Sequence, residues 1–395
     1  MVALVYATAL LGCSGGSVAP DSPTPPQTTG SDSLIVIARA NLIPMDRERV
    51  LHDYSIVIRA GRIDRIAPHA EIGNPSGARV IDARGRFVLP GLIDMHVHVN
   101  KTDLPDYVAH GITAVRNMWG YNGLGAIGED VEAGRIVGPT IHSLSSGFDG
   151  SPVKWPATQL VDDLDQISPL IDAQVRAGYR ELKVYADLSR TAYDSIVQVA
   201  RQRGLTFAGH VPRRISVSYA LEAGQRSIEH LTGYDLAIST AAAGTPIWAS
   251  IDGSRIAPLA QATARAGVWN CPTLAIIDLM GNNSAVRTNR GRVVKALHDA
   301  GAKLLVGTDS GIGRTMPGAS LAEELRLFVD AGLTPYQALR GATADAALYL
   351  NRSDIGTIKV DARADLVVLD ANPLVDIAAV RKVRGVVLRG LWITN

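Results

Sequence analysis

Apolar and polar residues change rhythm twice along this chain. From residue 34 to 88 short apolar runs alternate with turn residues, and 33–40, 54–59, 62–67 and 78–82 read as strands. Ala60-Gly61 supplies a tight turn between two of them. The same pattern returns near the C-terminus in 356–359, 364–370 and 383–391. Two β-rich ends around a different middle predict one small β-sandwich lobe, assembled from residues 34–88 and 351–395.

The middle, 89–350, repeats a unit of helical segment, glycine and short apolar strand. Glycine suits the residue after a helix because that position adopts positive φ. Ala177-Gly178 precedes 181–187, Arg203-Gly204 precedes 206–212, and Ala223-Gly224 precedes 227–233. Ala266-Gly267 and Ala300-Gly301 stand likewise before 268–276 and 303–309. With 88–98, 112–118 and 140–147, this makes eight strands alternating with helices. Such alternation predicts a parallel sheet, and eight repeats predict an α/β fold of the (β/α)8 TIM-like barrel type.

Composition narrows the function. A hydrophobic fraction of 47% can bury a sizeable core, and a formal net charge of +1 leaves no electrostatic footprint for nucleic acid. Residues 1–13 are apolar, too short to span a bilayer, and end in Leu10-Leu11-Gly12-Cys13. That run resembles a bacterial lipobox, which implies a signal peptide, lipidation at Cys13, and a protein anchored in the bacterial cell envelope. The anchor would be its one membrane contact. Residues 14–33, rich in Ser, Pro, Thr and Gly, read as a flexible linker. With Cys13 lipidated, Cys271 would be the one remaining thiol, so no intramolecular disulfide is expected.

The candidate chemistry lies at the ends of the expected barrel strands. The first ends in Asp94-Met95-His96-Val97-His98. Side chains two apart in a strand share a face, so His96 and His98 can converge on one ion, and neutral imidazole suits zinc, iron or nickel. A lone His-X-His is a weak signal. Further residues strengthen it: Lys183 in an apolar strand, where an unpaired ammonium is costly, then His210, His230, and Asp309 after Leu305-Val306-Gly307-Thr308. Each alone has an ordinary structural explanation. Their joint placement on one barrel face does not. Ser146, Tyr185, Tyr234 and Arg116 are candidate substrate contacts, with Arg314 a further candidate for a carboxylate.

On Gly91-Leu92-Ile93-Asp94-Met95-His96-Val97-His98, Lys183, His210, His230 and Gly307-Thr308-Asp309, the chain resembles the amidohydrolase superfamily, in its imidazolonepropionase-related and prolidase-like branch. The resemblance implies two divalent metal ions, with zinc expected, and a carboxylated Lys183 bridging them. It implies His96, His98, Lys183 and Asp309 on one metal, and Lys183, His210 and His230 on the other. Asp309 and His230 would then act on the reacting atoms. Two cations lower the pKa of a shared water towards ~7, and Asp309 would accept its proton. Relatives often carry His-Gly shortly after the last Asp, where this chain has Arg314-Thr315-Met316-Pro317-Gly318, and Arg-Asp where it has Arg116-Asn117.

The expected activity is hydrolysis of an amide-type C–N bond in a small-molecule amide. The alternatives are an Xaa-Pro (prolidase-like) dipeptidase and a surface lipoprotein that binds metal or ligand without catalysis. A homo-oligomer is compatible with the sequence.

Overall fold

The computed structural model describes residues 34–280, 283–312 and 315–394. The expected leader, its Cys13, the linker and Arg314 lie outside these residues.

Both ends of the chain meet in one sheet. Its order is Leu391–Thr394, Val383–Leu388, Leu366–Leu369, Phe87–Pro90, Ile35–Leu42, Leu51–Arg59 and Arg62–Pro68, with Arg79–Asp82 also paired to Ile35–Leu42. Alternate residues explain its stability. Ile35 and Ile37 pack with Ile56 and Ile58 in one apolar cluster, while Val36, Ala38 and Val57 form another. Ala60 (φ 48°) and Gly61 (φ 75°) make the expected turn, both left-handed as a two-residue hairpin of this kind requires. The strands form one continuous eight-stranded sheet, so a separation into two facing sheets is not what the hydrogen bonds describe.

The middle is α/β with parallel strands. Leu92–Val97, Ile112–Asn117 and Thr140–Ser143 form one sheet. Gln159–Leu160, Gly147–Asp149, Glu181–Val184, Thr206–Gly209, Ser227–Glu229 and Trp269–Cys271 form a second, in that order. The predicted glycines at 178, 204, 224, 267 and 301 all follow helices and all have positive φ.

The ladders do not close into one barrel, and two local features account for this. The expected strand 140–147 breaks at Leu144–Ser146, so Thr140–Ser143 pairs with Ile112–Asn117 while Gly147–Asp149 pairs with Glu181–Val184. A Cβ at Gly147 would lie 2.1 Å from the Trp119 ring, so only glycine fits there. The segment 303–309 is held by parallel bridges, Leu304 to Asn270 and Ser310 to Val97, and by Met95 N–H donating to the Val306 carbonyl at 2.9 Å. Gly307 allows that approach, since a Cβ there would sit 2.6 Å from both Cys271 Sγ and His96 N. Among the described residues no helix is long and apolar enough to cross a membrane.

Candidate metal and active site

All six predicted metal donors open onto one cavity of about 980 Å³. The strand Leu92–Val97 is buried throughout, and it delivers His96 and, one residue past its end, His98. His98 Nε2 lies 3.0 Å and His96 Nε2 3.2 Å from Asp309 Oδ1. Ligand atoms of these three residues all fall within 4.8 Å of one another. His230 follows Ser227–Glu229, with Nδ1 4.0 Å from Asp309 Oδ2 and its ring centroid 4.6 Å from His96 and 4.8 Å from His210. Tyr185 packs on His210 at 4.1 Å and faces the Lys183 ammonium nitrogen at 5.9 Å.

The backbone is strained where these donors leave their strands. His230 (φ 61°), Leu231 (φ 57°), Thr273 (φ 47°) and Asp309 (φ 59°) are all left-handed without being glycine. Such conformations cost roughly 1–3 kcal/mol each and persist where surrounding contacts fix them. The contacts are visible here. Arg290, buried on the helix Ser284–Asp299, donates to the carbonyls of His230 (3.2 Å) and Pro272 (2.7 Å). Buried Glu324 accepts from the amides of Leu274 (2.9 Å) and Ala275 (2.7 Å). The Thr273 turn is thereby clamped, and its Oγ1 lies 2.6 Å from His230 Nδ1. Thr315 Oγ1 donates to the Asp309 carbonyl at 3.0 Å.

Burial sets the protonation states. It lowers His230 to about 3 and His98 below its usual value, and it pushes His210 well down with help from the His230 and Lys183 charges. These imidazoles are neutral near pH 7, the form that ligates metal. Burial also brings Lys183 down to about 8. For Asp309 burial acts the other way, but the His96 and His230 imidazoles more than reverse it and hold the carboxyl well below the ordinary range.

Glu229 went unnoticed in the sequence, where a single acid inside a three-residue strand carries no pattern. Its Oε2 lies 2.8 Å from His96 Nδ1, and its Oε1 accepts from Arg116 Nη2 at 2.8 Å. Burial would raise the Glu229 carboxyl, yet the Arg116 guanidinium and the His96 N–H keep it far below its ordinary value. An anionic carboxylate only accepts, so His96 Nδ1 is the donor in this pair and Nε2 is the ring atom left facing Asp309. That Nε2 is buried without a hydrogen-bond partner. A buried orphan nitrogen beside a second imidazole and a carboxylate is a set of donors that could hold a divalent cation. Asp94, part of the strand-end motif but given no role from the sequence, accepts from Thr308 Oγ1 at 2.6 Å and from the His96 amide at 3.2 Å, tying together the segments that carry His96 and Asp309.

The family model for the amidohydrolase family matches residues 87–393. The chain belongs to the amidohydrolase family. An ochratoxinase of Aspergillus niger is 23% identical to this amidohydrolase over 441 residues, covering 91% of this chain and 86% of its own. An imidazolonepropionase of Micrococcus luteus is 26% identical over 407 residues, covering 88% and 95%. The structure of a Xaa-Pro dipeptidase with bound methionine superposes with a TM-score of 0.74 at 20% identity, covering 92% of this chain and 100% of that one. At that identity the likeness is one of fold. The protein is a hydrolase acting on carbon–nitrogen bonds, and metal use is typical of its family.

Of the four expected substrate contacts, the amidohydrolase brings only Tyr185 to the cavity wall. Arg116 is fully buried, donating to the Met95 carbonyl (2.7 Å), Ser227 Oγ (3.0 Å) and Glu229, with Tyr349 against its guanidinium. The Tyr234 hydroxyl lies 2.8 Å from Thr263 Oγ1 in the core, and Ser146 Oγ donates to the Gly120 carbonyl at 2.8 Å. Each is a buried polar group satisfied internally, which sequence alone does not distinguish from one facing a ligand. The cavity instead presents Trp119, Trp155 and Lys101, none of them singled out by the sequence.

Proposed function

We propose that this amidohydrolase hydrolyses an amide-type C–N bond with two divalent metal ions, zinc being the expected species. His96, His98 and Asp309 would hold one, His210 and His230 the other, with a carboxylated Lys183 bridging them. The observation carrying this reading is the convergence of His96, His98 and Asp309 donors within 4.8 Å around the unpartnered His96 Nε2, in a cavity that the other three donors also line.

Lys183 carboxylation needs a neutral amine. With its pKa brought from 10.5 to about 8, roughly a tenth of the amine is neutral at pH 7, against under a thousandth for an ordinary lysine. Nζ then adds to carbon dioxide, forming an N–C bond and releasing one proton. Bound cations would supply Lewis acidity, acidifying water towards a pKa of ~7 and polarising the scissile carbonyl. Asp309 accepts the proton of the attacking water on a carboxylate oxygen. It returns that proton to the departing nitrogen as the C–N bond breaks. Glu229, through His96 Nδ1–H, and Thr273, at His230 Nδ1, keep the imidazoles oriented throughout.

Metal analysis of protein purified with bicarbonate tests the reading. About two equivalents per chain are expected, and none overturns it. An Xaa-Pro dipeptidase is the second reading, and a panel of Xaa-Pro dipeptides, N-acyl amino acids and lactams separates the two by relative kcat/KM.

A further inference from the structure

The strands that deliver Lys183 and His230 begin at Glu181 and Ser227. One side chain reaches both beginnings. Tyr349 closes the helix Ala344–Tyr349 and is 1% exposed, and its hydroxyl lies 2.8 Å from Glu181 Oε1 and 3.3 Å from Ser227 Oγ. Two guanidiniums share its ring: Cζ of Arg226 stands 4.0 Å from the ring centroid and Cζ of Arg116 4.7 Å. Trp269 meets the same ring edge-to-face at 5.6 Å, and Arg226 also donates to the Tyr349 carbonyl. None of these residues lines the metal-donor cavity, so contact with a ligand does not explain a tyrosine at this position.

Arg116 links this ring to the site. A guanidinium presents its N–H donors around an edge and a flat face above and below. The edge of Arg116 meets the Met95 carbonyl at 2.7 Å, Ser227 Oγ at 3.0 Å and Glu229 Oε1 at 2.8 Å. Hydrogen bonds along an edge resist sliding within the plane; a ring against the face resists tilting out of it. Such a contact gains most where water is excluded, as it is around this fully buried pair. From Arg116 the contacts run on without a gap, since Glu229 Oε2 lies 2.8 Å from His96 Nδ1. The Tyr349 hydroxyl is the lesser part. Glu181 Oε1 also accepts from Arg226 Nη1 and Thr206 Oγ1, each at 3.2 Å, and Ser227 Oγ donates to Glu229 Oε1 at 2.5 Å without it.

We propose that Tyr349 is a positioning residue of the metal site. Its ring pins the Arg116 guanidinium, which keeps the Glu229 carboxylate aimed at His96 Nδ1 and so leaves His96 Nε2 facing Asp309 for a cation. The proposal rests on the reading of His96 as a metal donor and extends it to a side chain on the C-terminal helix, at the far end of the strands that carry the donors. The aromatic ring is the working part, and the hydroxyl is dispensable.

Tyr349→Phe keeps the ring and removes the hydroxyl, whereas Tyr349→Leu removes the ring. Zinc titration of metal-free protein should place Tyr349→Phe within about threefold of native and Tyr349→Leu about tenfold weaker. Side-chain nitrogen NMR of the metal-free protein reads the His96 ring itself, its signal identified by its loss in His96→Asn. The ring proton should stay on Nδ1 in native and Tyr349→Phe protein and be shared between Nδ1 and Nε2 in Tyr349→Leu. A general packing defect would weaken zinc binding in any background, so Glu229→Gln supplies the control. There Tyr349→Leu should change zinc affinity by less than about twofold, because the step it acts through is already lost. Equal losses in the Phe and Leu variants, an unshifted His96 ring in Tyr349→Leu, or the full loss repeated in the Glu229→Gln background overturns the proposal. Urea unfolding checks that each variant folds, and Tyr349→Met, which restores bulk without a ring, carries the same comparison if the Leu variant does not. Should native protein bind no zinc, the metal reading falls, and the His96 signal still decides the positioning claim: a shift supports it and none overturns it.

Discussion

Replacing Glu229 by glutamine should separate what its carboxylate does for stability from what it does for the site. In the native protein Oε1 accepts from Arg116 Nη2 and Oε2 faces His96 Nδ1, each at 2.8 Å. Glutamine offers one acceptor and one NH2, so it cannot accept on both sides. Turning the NH2 towards Arg116 sets a donor against a buried cation. It will turn instead towards His96, forcing Nδ1 to accept and the ring proton onto Nε2. That proton then points to Asp309 Oδ1, 3.2 Å away, and the lone pair that would bind metal is gone. Loss of an outer-shell partner typically weakens metal binding 10–100-fold, or about 1.4–2.8 kcal/mol. Leaving Arg116 without an anion costs a further ~3–5 kcal/mol of stability, because an unpaired buried charge is worse than none. Zinc titration and urea unfolding of the metal-free protein should register both losses. The double variant Arg116→Met with Glu229→Leu should regain much of the stability while metal binding stays weak. Near-native zinc affinity in either variant would refute the claim that Glu229 sets the His96 tautomer.

Asp309→Asn should abolish turnover while unfolding at nearly the same urea concentration, since asparagine tolerates the φ of 59° at this position; an unchanged rate would exclude Asp309 as the base. Thr273→Val removes the hydroxyl at His230 Nδ1 and should lower kcat/KM about 10–100-fold, with Thr273→Ser restoring it; equal loss in both would show that only packing matters. His142, whose Nε2 is buried without a partner, has its pKa lowered to about 4, first by burial and then by Arg352 and Arg363. Between pH 4 and 6.5 the unfolded chain therefore binds the extra proton, so this residue makes stability rise with pH across that window and flatten above it. His142→Gln should reduce the slope of unfolding free energy by up to about 1.4 kcal/mol per pH unit there; an unchanged slope refutes the assignment.

The parts legible in the sequence share one property: a local pattern reports them. His96, His98, Lys183, His210, His230 and Asp309 each end or interrupt a short apolar run, and the run fixes where the side chain emerges. Glycines after helices mark the repeat. Arg116 looked like a substrate contact because an exposed-type residue closes a strand, but its partner Glu229 is 113 residues away and unreadable from either end. Tyr234 and Ser146 failed to reach the cavity for the same reason. Trp155 sits in a Pro- and Ser-bearing loop with no period at all, and only folding reveals that it meets Tyr185. The ladder changes partner at Leu144–Ser146, and the segment 303–309 is held by isolated bridges rather than a ladder, neither of which strand periodicity encodes.

The strand Phe87–Pro90 lies between Ile35–Leu42 and Leu366–Leu369 in the terminal sheet, and it leads within two residues into the strand carrying His96. Gly91 N–H, in that short connection, donates to the Asp365 carbonyl at 2.8 Å. During synthesis the first half of this arrangement emerges some 275 residues before its partner, roughly half a minute at ten residues per second. The first histidines of the site thus stay without their anchoring neighbour until nearly the whole chain has been made. Nascent chains stalled before residue 365 should accordingly hold metal poorly, and binding should appear only once the last strands are available.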